Sequence, residues 1–450
     1  MSAEPRIGRR AALAGIASLA SFAVGPIRVQ NAHARGRTAL GGRVSLRVPW
    51  PLGSIDPHRL DDPGAALFGE ALFDGLYARD DTGGFVPALA EDEPELEDKG
   101  VRVTLRAGLK TGRGRALDVG DVVASIARAR ANGARAWLAD IPTPKIEGRS
   151  LLFANRDAAR VVRALASPLV AIVKADFTPE AAEGTGPLRL ASKGDPIVLS
   201  RNPNAARGPA FLEDVAVRSS PNLEASLRAF ESGQDDLGWL GSGLHEPRPG
   251  SRTFDYGSIA WAVLFAGRDA APWDAPGAAQ KVCDGVPPSR LSGLGLGPPW
   301  RTDADDGWGG PPVTLLVRDD AAWLGELAKT LAATISRPSH EVVVKPVPPG
   351  ELAQRRAARN FGLALDVVRP VAPGTVGAMA SLATADDPQK AIELLRKPPK
   401  TDIPIRTIAR GLRLGVVGEV RALGGRMPDV VLAQGPSGGI DWGATSRGRR

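Results

Sequence analysis

The stretch from Ile55 to Ala90, IDPHRLDDPGAALFGEALFDGLYARDDTGGFVPALA, decides the fold. Asp56-Pro57 makes a turn, because proline fixes its own φ and pushes the residue before it toward extended backbone. From about Pro63 to Leu76 the apolar Leu67, Ala71 and Leu72 fit one helical face, and Gly75 stands near the end of the run. Gly83-Gly84 predicts a hairpin-like turn into Val86-Pro87-Ala88-Leu89-Ala90. Upstream, Arg43–Pro49 alternates polar residues with Val44, Leu46 and Val48, as a strand does. Downstream, Val101–Leu105 alternates again. Asp118-Val119-Gly120-Asp121 then opens a helix over Val122–Ala131, with acids at its positive end. Short strands and helices joined by Gly/Pro turns predict α/β architecture, a mixed sheet under helical cover. The 53 glycines and 39 prolines supply such turns throughout the 450 residues.

The order of these pieces resembles the family-5 solute-binding proteins of peptide, oligosaccharide and nickel ABC importers. The motifs that carry the resemblance begin with Ile55-Asp56-Pro57, Leu72-Phe73-Asp74-Gly75-Leu76 and Pro87-Ala88-Leu89-Ala90. Leu105-Arg106-Ala107-Gly108-Leu109-Lys110 and Asp121-Val122-Val123-Ala124-Ser125 follow. Gly184-Thr185-Gly186-Pro187, Asn202-Pro203-Asn204 and Leu227–Gln234 complete the series. Each motif alone is weak; together and in order, over residues 43–240, they are specific.

The resemblance implies a two-lobe, type II-like periplasmic-binding-protein fold with a small extra subdomain in the first lobe. It implies lobe I at 36–258 with the subdomain at about 80–183, lobe II at 259–429, and a return to lobe I at 430–450. The implied activity is capture of a peptide or other small solute between the lobes for a membrane ABC permease. It needs no catalytic residue, cofactor or metal.

For the second lobe, Pro311–Val317 and Val342–Val347 read as strands bracketing an amphipathic helix, Ala321–Ile335. Glu351–Arg359 reads as a helix and Phe361–Val368 as a buried strand. Val430–Leu432 with Ile440-Asp441-Trp442 is similar to the family's closing return. Two departures stand out. Pro287-Pro288 ends the long helix with which that family opens its second lobe. The acidic motif that peptide binders use for the ligand's amino terminus is not legible, and Asp366 is the nearest candidate. The candidate ligand residues are Trp239, Trp261, Asp366, Arg369 and Asp56. The tryptophans flank the lobe boundary and offer flat apolar faces, while Asp366 and Arg369 carry opposite charges for a polar or zwitterionic solute. The competing reading makes the tryptophans core and pairs the two charges with neighbours, since residues 366 and 369 point to opposite faces of a strand.

The N-terminus reads as an export leader. Arg9-Arg10 precede a mostly apolar run of fourteen residues, Ala11–Val24. That is short of the roughly 20 needed to span a bilayer. Pro26 ends the run, and Ala32-His33-Ala34 gives a small-x-small cleavage site, so residues 1–34 resemble a twin-arginine signal removed after Ala34. No cysteine follows closely, which excludes a lipoprotein anchor. The expected location is the periplasm. The leader carries a net +3, leaving +4 of the formal +7 for the other residues, too weak a field for nucleic acid.

Other chemistry finds little support. Cys283 is the single cysteine and cannot form an internal disulfide. His58, His245 and His340 lack i,i+4 spacing, so no zinc site is expected. There is no Walker loop. Gly435-Pro436-Ser437-Gly438-Gly439 fits a nucleophile elbow, but no histidine lies beyond His340 and no helix starts after Ser437. A serine hydrolase is therefore the weakest reading. A degenerate binding protein with a sensory or partner-binding role is the stronger alternative.

Overall fold

The computed structural model describes residues 40–448 except 50–51, 240–248, 293, 298–306, 373, 400, 402 and 437. The leader, His245 and Ser437 lie outside the described residues.

Ten strands make one curled sheet. In spatial order they are Val342–Val347, Val313–Arg318, Leu363–Val368, Arg252–Ala266, Leu414–Arg426, Leu237–Trp239, Arg43–Val48, Asp214–Ser219, Ile197–Arg201 and Leu188–Ser192. Two long antiparallel strands, Arg252–Ala266 and Leu414–Arg426, run through its middle and belong to both halves. One end of the pair joins the first half, where Arg426, Gly425 and Gly424 pair with Leu237–Trp239. The other end joins the second half, where Trp261–Ala266 pairs with Leu363–Val368. Between the two ends the register slips after Asp255, after Ser258 and after Ala262. Such bulges bend a strand and increase its twist.

In the first half, Arg43–Val48 pairs in parallel with Asp214–Ser219 and with Leu237. Parallel neighbours need crossovers. Helix Leu223–Glu231, capped by Asn222 through the Ala225 N–H at 2.8 Å, supplies one of them. The second half is a β-α-β-α-β run, its strands linked by helices Ala322–Ile335 and Pro349–Ala358. Here the expected elements appear within two residues of the boundaries read from sequence. The helix expected over 63–76 instead stops at Leu72. Phe73 turns extended, and its N–H returns to the Gly69 carbonyl at 2.9 Å.

The long excursion between the first two parallel strands holds a separate four-stranded sheet. Its strands, in order, are Glu95–Glu97, Gly100–Thr104, Ser150–Phe153 and Lys145–Glu147. Val103, Ile126, Leu151, Phe153, Val161 and Leu165 pack there as a core distinct from the main one. Helix Val119–Ala131 enters through a reciprocal cap in which Asp118 and Asp121 each accept from the other's N–H. The helix therefore begins three residues before the expected Val122.

The C-terminal hairpin, Val430–Gln434 with Ile440–Arg447, folds back onto the first half. The Trp442 indole N–H donates to the Leu67 carbonyl at 2.9 Å, and its ring stacks on Phe68 with centroids 5.4 Å apart. Among the described residues no helix is long and apolar enough to cross a membrane.

Candidate ligand-binding site

The sequence motifs meet in space. A Cβ on Gly184 would lie 2.2 Å from the Leu72 carbonyl oxygen, and one on Gly186 would lie 2.4 Å from that of Ala71. Only glycine lets the Gly184–Pro187 loop rest directly on the end of helix Pro63–Leu72. The Gly186 N–H then donates to Leu72 at 3.0 Å. On the same contact, the Thr185 hydroxyl and Arg207 Nε donate to opposite oxygens of buried Asp74, at 2.9 and 2.7 Å.

A cavity of about 450 Å³ opens beside this junction. Phe73, Tyr77, Phe211 and Trp442 give it aromatic walls. Three acids, Glu70, Asp74 and Asp441, and three arginines, Arg79, Arg207 and Arg369, line it as well. A smaller space of about 40 Å³ shares Glu70, Pro168, Arg369 and Ile440 with the first. Ser258 and Ile259, at the register slip of the long strand, form part of its wall. The combined site thus reaches from the first half to the bend between halves.

Arg369 belongs to the second half and closes on the first. It is 4% exposed. Its backbone N–H donates to Leu60 and its Nε to Arg59, both at 2.9 Å. Nη1 reaches Ala65 at 3.5 Å, and Nη2 donates to Pro57. These acceptors are all backbone carbonyls, and no carboxylate among the described residues pairs with the guanidinium. Burial lowers its pKa, opposed by the more distant charges of Asp62, Asp56 and Glu70.

The other expected ligand residues are placed as follows. Asp56 is buried in the turn beneath Arg369, where Arg128 donates to both of its oxygens at 2.8 and 2.6 Å. Burial alone would raise its pKa, but the Arg128 bonds and charge bring it below the ordinary value. Asp366 is buried and paired with Arg356 at 2.6 Å. Burial raises its pKa against the pull of Arg356, and nearby Asp61 raises it further. Trp239 sits in the main core and Trp261 in a separate core cluster of the second half, each 2% exposed. Of the five, Arg369 is the one that lines the two cavities.

No motif in the sequence marks Glu70, Arg79 or Arg207 as cavity residues, and Asp441 stands out there only as part of the closing return. Asp74 was in plain view inside the Leu72–Leu76 motif, and Arg207 follows the Asn202–Asn204 motif closely.

No family model and no curated protein matches this chain. Solved structures do. The PBP AgaA from A. tumefaciens R10, in complex with agropinic acid, superposes with a TM-score of 0.68 at 15% identity, covering 91% of this chain and 99% of that one. NikA from Staphylococcus aureus, in complex with Ni(L-His)2, gives 0.63 at 15% identity, over 90% of this chain and 100% of that one. The ABC transporter-associated periplasmic binding protein DppA from Helicobacter pylori, in complex with the peptide STSA, gives 0.64 at 13% identity, over 91% and 99%. The α/β sheet with two halves joined by crossing strands is the two-lobe periplasmic-binding-protein fold of these proteins, the fold that the family-5 resemblance implied.

Proposed function

We propose that this chain is the extracytoplasmic solute-binding component of an ABC-type importer, holding a small solute between two lobes and presenting it to a membrane permease. Arg369 carries the reading: a buried second-lobe guanidinium that lines the cavity and meets no protein carboxylate among the described residues. A buried charge is costly unless paired and hydrogen-bonded, and an anionic group on a solute would supply the missing partner. In this reading lobe I comprises 36–258, with its subdomain at about 80–183 and the return 430–450, and lobe II comprises 259–429. The register slips around Ser258 form the hinge. Asp56 holds the turn on which Arg369 rests, and Asp366 holds Arg356 against that turn. Trp239 and Trp261 stiffen the strands on either side. The neighbours' ligands range from a nickel complex to peptides. A space of about 450 Å³ suits a solute at the small end of that range.

A thermal-shift panel of amino acids, peptides, sugars and metal chelates tests the reading. A solute present at a hundred times its Kd stabilises by about 2.7 kcal/mol. The response to the best anion should be lost in Arg369→Gln. If no class stabilises the purified chain, solute binding is refuted and a degenerate partner-binding or sensory protein takes its place.

Export rests on Arg9-Arg10, the apolar run to Val24 and Ala32-His33-Ala34. Changing both arginines to lysine should hold the precursor in the cytoplasm. Periplasmic accumulation of that double variant would exclude the twin-arginine route.

A further inference from the structure

At one place each half gives a residue to the other's core. Helix Val119–Ala131 of the extra subdomain runs into a series of tight turns, residues 132–140. Gly133 fixes their start: its N–H donates to the His58 carbonyl at 2.8 Å, and a Cβ there would lie 2.7 Å from the same oxygen. The Leu138 N–H donates to Ala134 at 2.9 Å, and the Asn155 amide holds the end through the Asp140 carbonyl at 2.8 Å. These turns are thus set from their own side. Ala134 and Leu138 belong to the core of the extra sheet, whereas Ala136, 2% exposed, belongs to the core cluster of the second half. Half-buried Trp137 packs against both clusters.

The second half does the reverse. Past strand Leu363–Val368 the chain reaches the first half at Arg369, whose N–H donates to Leu60. Two residues on, Val371 is 2% exposed and belongs to the core of the extra sheet, together with Leu60. One apolar residue is therefore inserted in each direction, with a tryptophan between them. Leu60, Ala136, Trp137 and Val371 all lie away from the walls of the two cavities. Opening the hinge would return the inserted side chains to water. Burial of a valine side chain alone favours the buried arrangement by roughly tenfold or more. Arg369 adds to this, because its guanidinium already rests on three first-half carbonyls.

We propose that the closed arrangement is the resting state of this protein, held by the exchange of Val371 and Ala136 across Trp137 and not by solute. This rests on the solute-binding reading and the lobe division above, and it names the regulation of that site. A permease or sensor that reads lobe closure meets the closed shape whether the cavity is full or empty. Solute adds stability to a shape already taken. Its entry waits on the rarer open form, which slows association.

The test measures distances between spin labels in purified protein whose native mass shows no bound molecule. Labels go on Arg163→Cys in helix Ala158–Leu165 and Glu393→Cys in helix Pro388–Arg396, both exposed positions. Cys283 is buried and does not compete for the label. The closed distance should hold about nine-tenths of the wild-type population or more. Val371→Asp and Trp137→Ala should each raise the ratio of open to closed by about fivefold or more. Circular dichroism checks that both fold, and Trp137→Ala, at a half-buried position, decides alone if Val371→Asp does not. A solute-free wild type that is mainly open would overturn the proposal and leave solute binding standing. Variants that stay as closed as the wild type would overturn it too, since the exchanged residues would not be what holds the halves. The thermal-shift panel above decides the solute-binding reading separately, because these distances need no solute.

Discussion

His58 is fully buried and both of its ring nitrogens are committed. Arg128 Nη1 lies 2.7 Å from Nδ1, and an arginine can only donate, so Nδ1 accepts. Nε2 then carries the proton and donates to the Ala171 carbonyl at 2.8 Å. The ring is held neutral. Burial lowers its pKa from 6.5 to about 4, in spite of the Ala171 carbonyl and nearby Asp56. In an unfolded chain the same ring titrates near its ordinary value. Between these two values the unfolded state binds a proton that the folded state refuses. The stability it contributes is complete above pH 6.5 and is lost as pH falls toward 4, to an extent of up to about 3 kcal/mol. Urea unfolding at pH 7 and pH 5 should therefore show the wild type losing about 2 kcal/mol more than His58→Gln over that interval. Parallel losses would show that the ring is not the group responsible.

At the scale of elements, legibility followed burial. Strands with one wet face, such as Arg43–Val48, alternate and can be read directly. The long central strand Arg252–Ala266 cannot. It is a mixture of exposed and half-buried residues around buried Phe254 up to Ser258 and then buried at every residue to Ala266, so its second part is an apolar run without a period. Helix Gly374–Asp386 hides for a related reason: residues 377–384 are all buried, leaving no polar stripe along that stretch. The glycine motifs were legible as motifs, but their purpose was not. Gly184 and Gly186 are needed because the Ala71 and Leu72 carbonyls, more than a hundred residues away in sequence, press against them. Asp74 and Arg207 are likewise separated by 133 residues and meet only in the folded chain. Of the charges read from sequence as ligand candidates, Arg369 lines the cavities and Asp366 is spent on Arg356. Tryptophan's large apolar body is satisfied equally by a core and by a cleft wall, so sequence alone does not separate these two settings for Trp239 and Trp261.

At the scale of the molecule, two of the contacts between the halves among the described residues lie outside the sheet and its main core. One is the Asp56–Asp62 turn. Arg318 donates to the Asp61 carbonyl at 3.2 Å, Arg356 lies 3.3 Å from the Asp61 carboxylate, and Arg369 rests on three nearby carbonyls. Another lies after helix Val119–Ala131, where Ala136 joins the separate core cluster of the second half. Beside it, Asp140 accepts from Arg160 on its own side and from Arg396 of helix Pro388–Arg396 on the other, the latter at 2.5 and 3.1 Å. The two contacts differ in kind. The turn is buried and carbonyl-rich, so salt hardly reaches it, whereas the Arg396 side chain is 53% exposed and its pairing is open to screening. Exposed pairs are weak, so with the hinge proposed above, losing this one should shift the balance between closed and open forms by a factor of only about two to five. Distances between spin labels on helix Ala158–Leu165 and helix Pro388–Arg396 would register it. The open fraction should rise in Arg396→Gln at low salt, and in the wild type as salt is raised. The variant itself should respond little to added salt, because the screened interaction is already gone. Identical distance distributions in the two proteins at every salt concentration would mean that Asp140 decorates the rim without holding it.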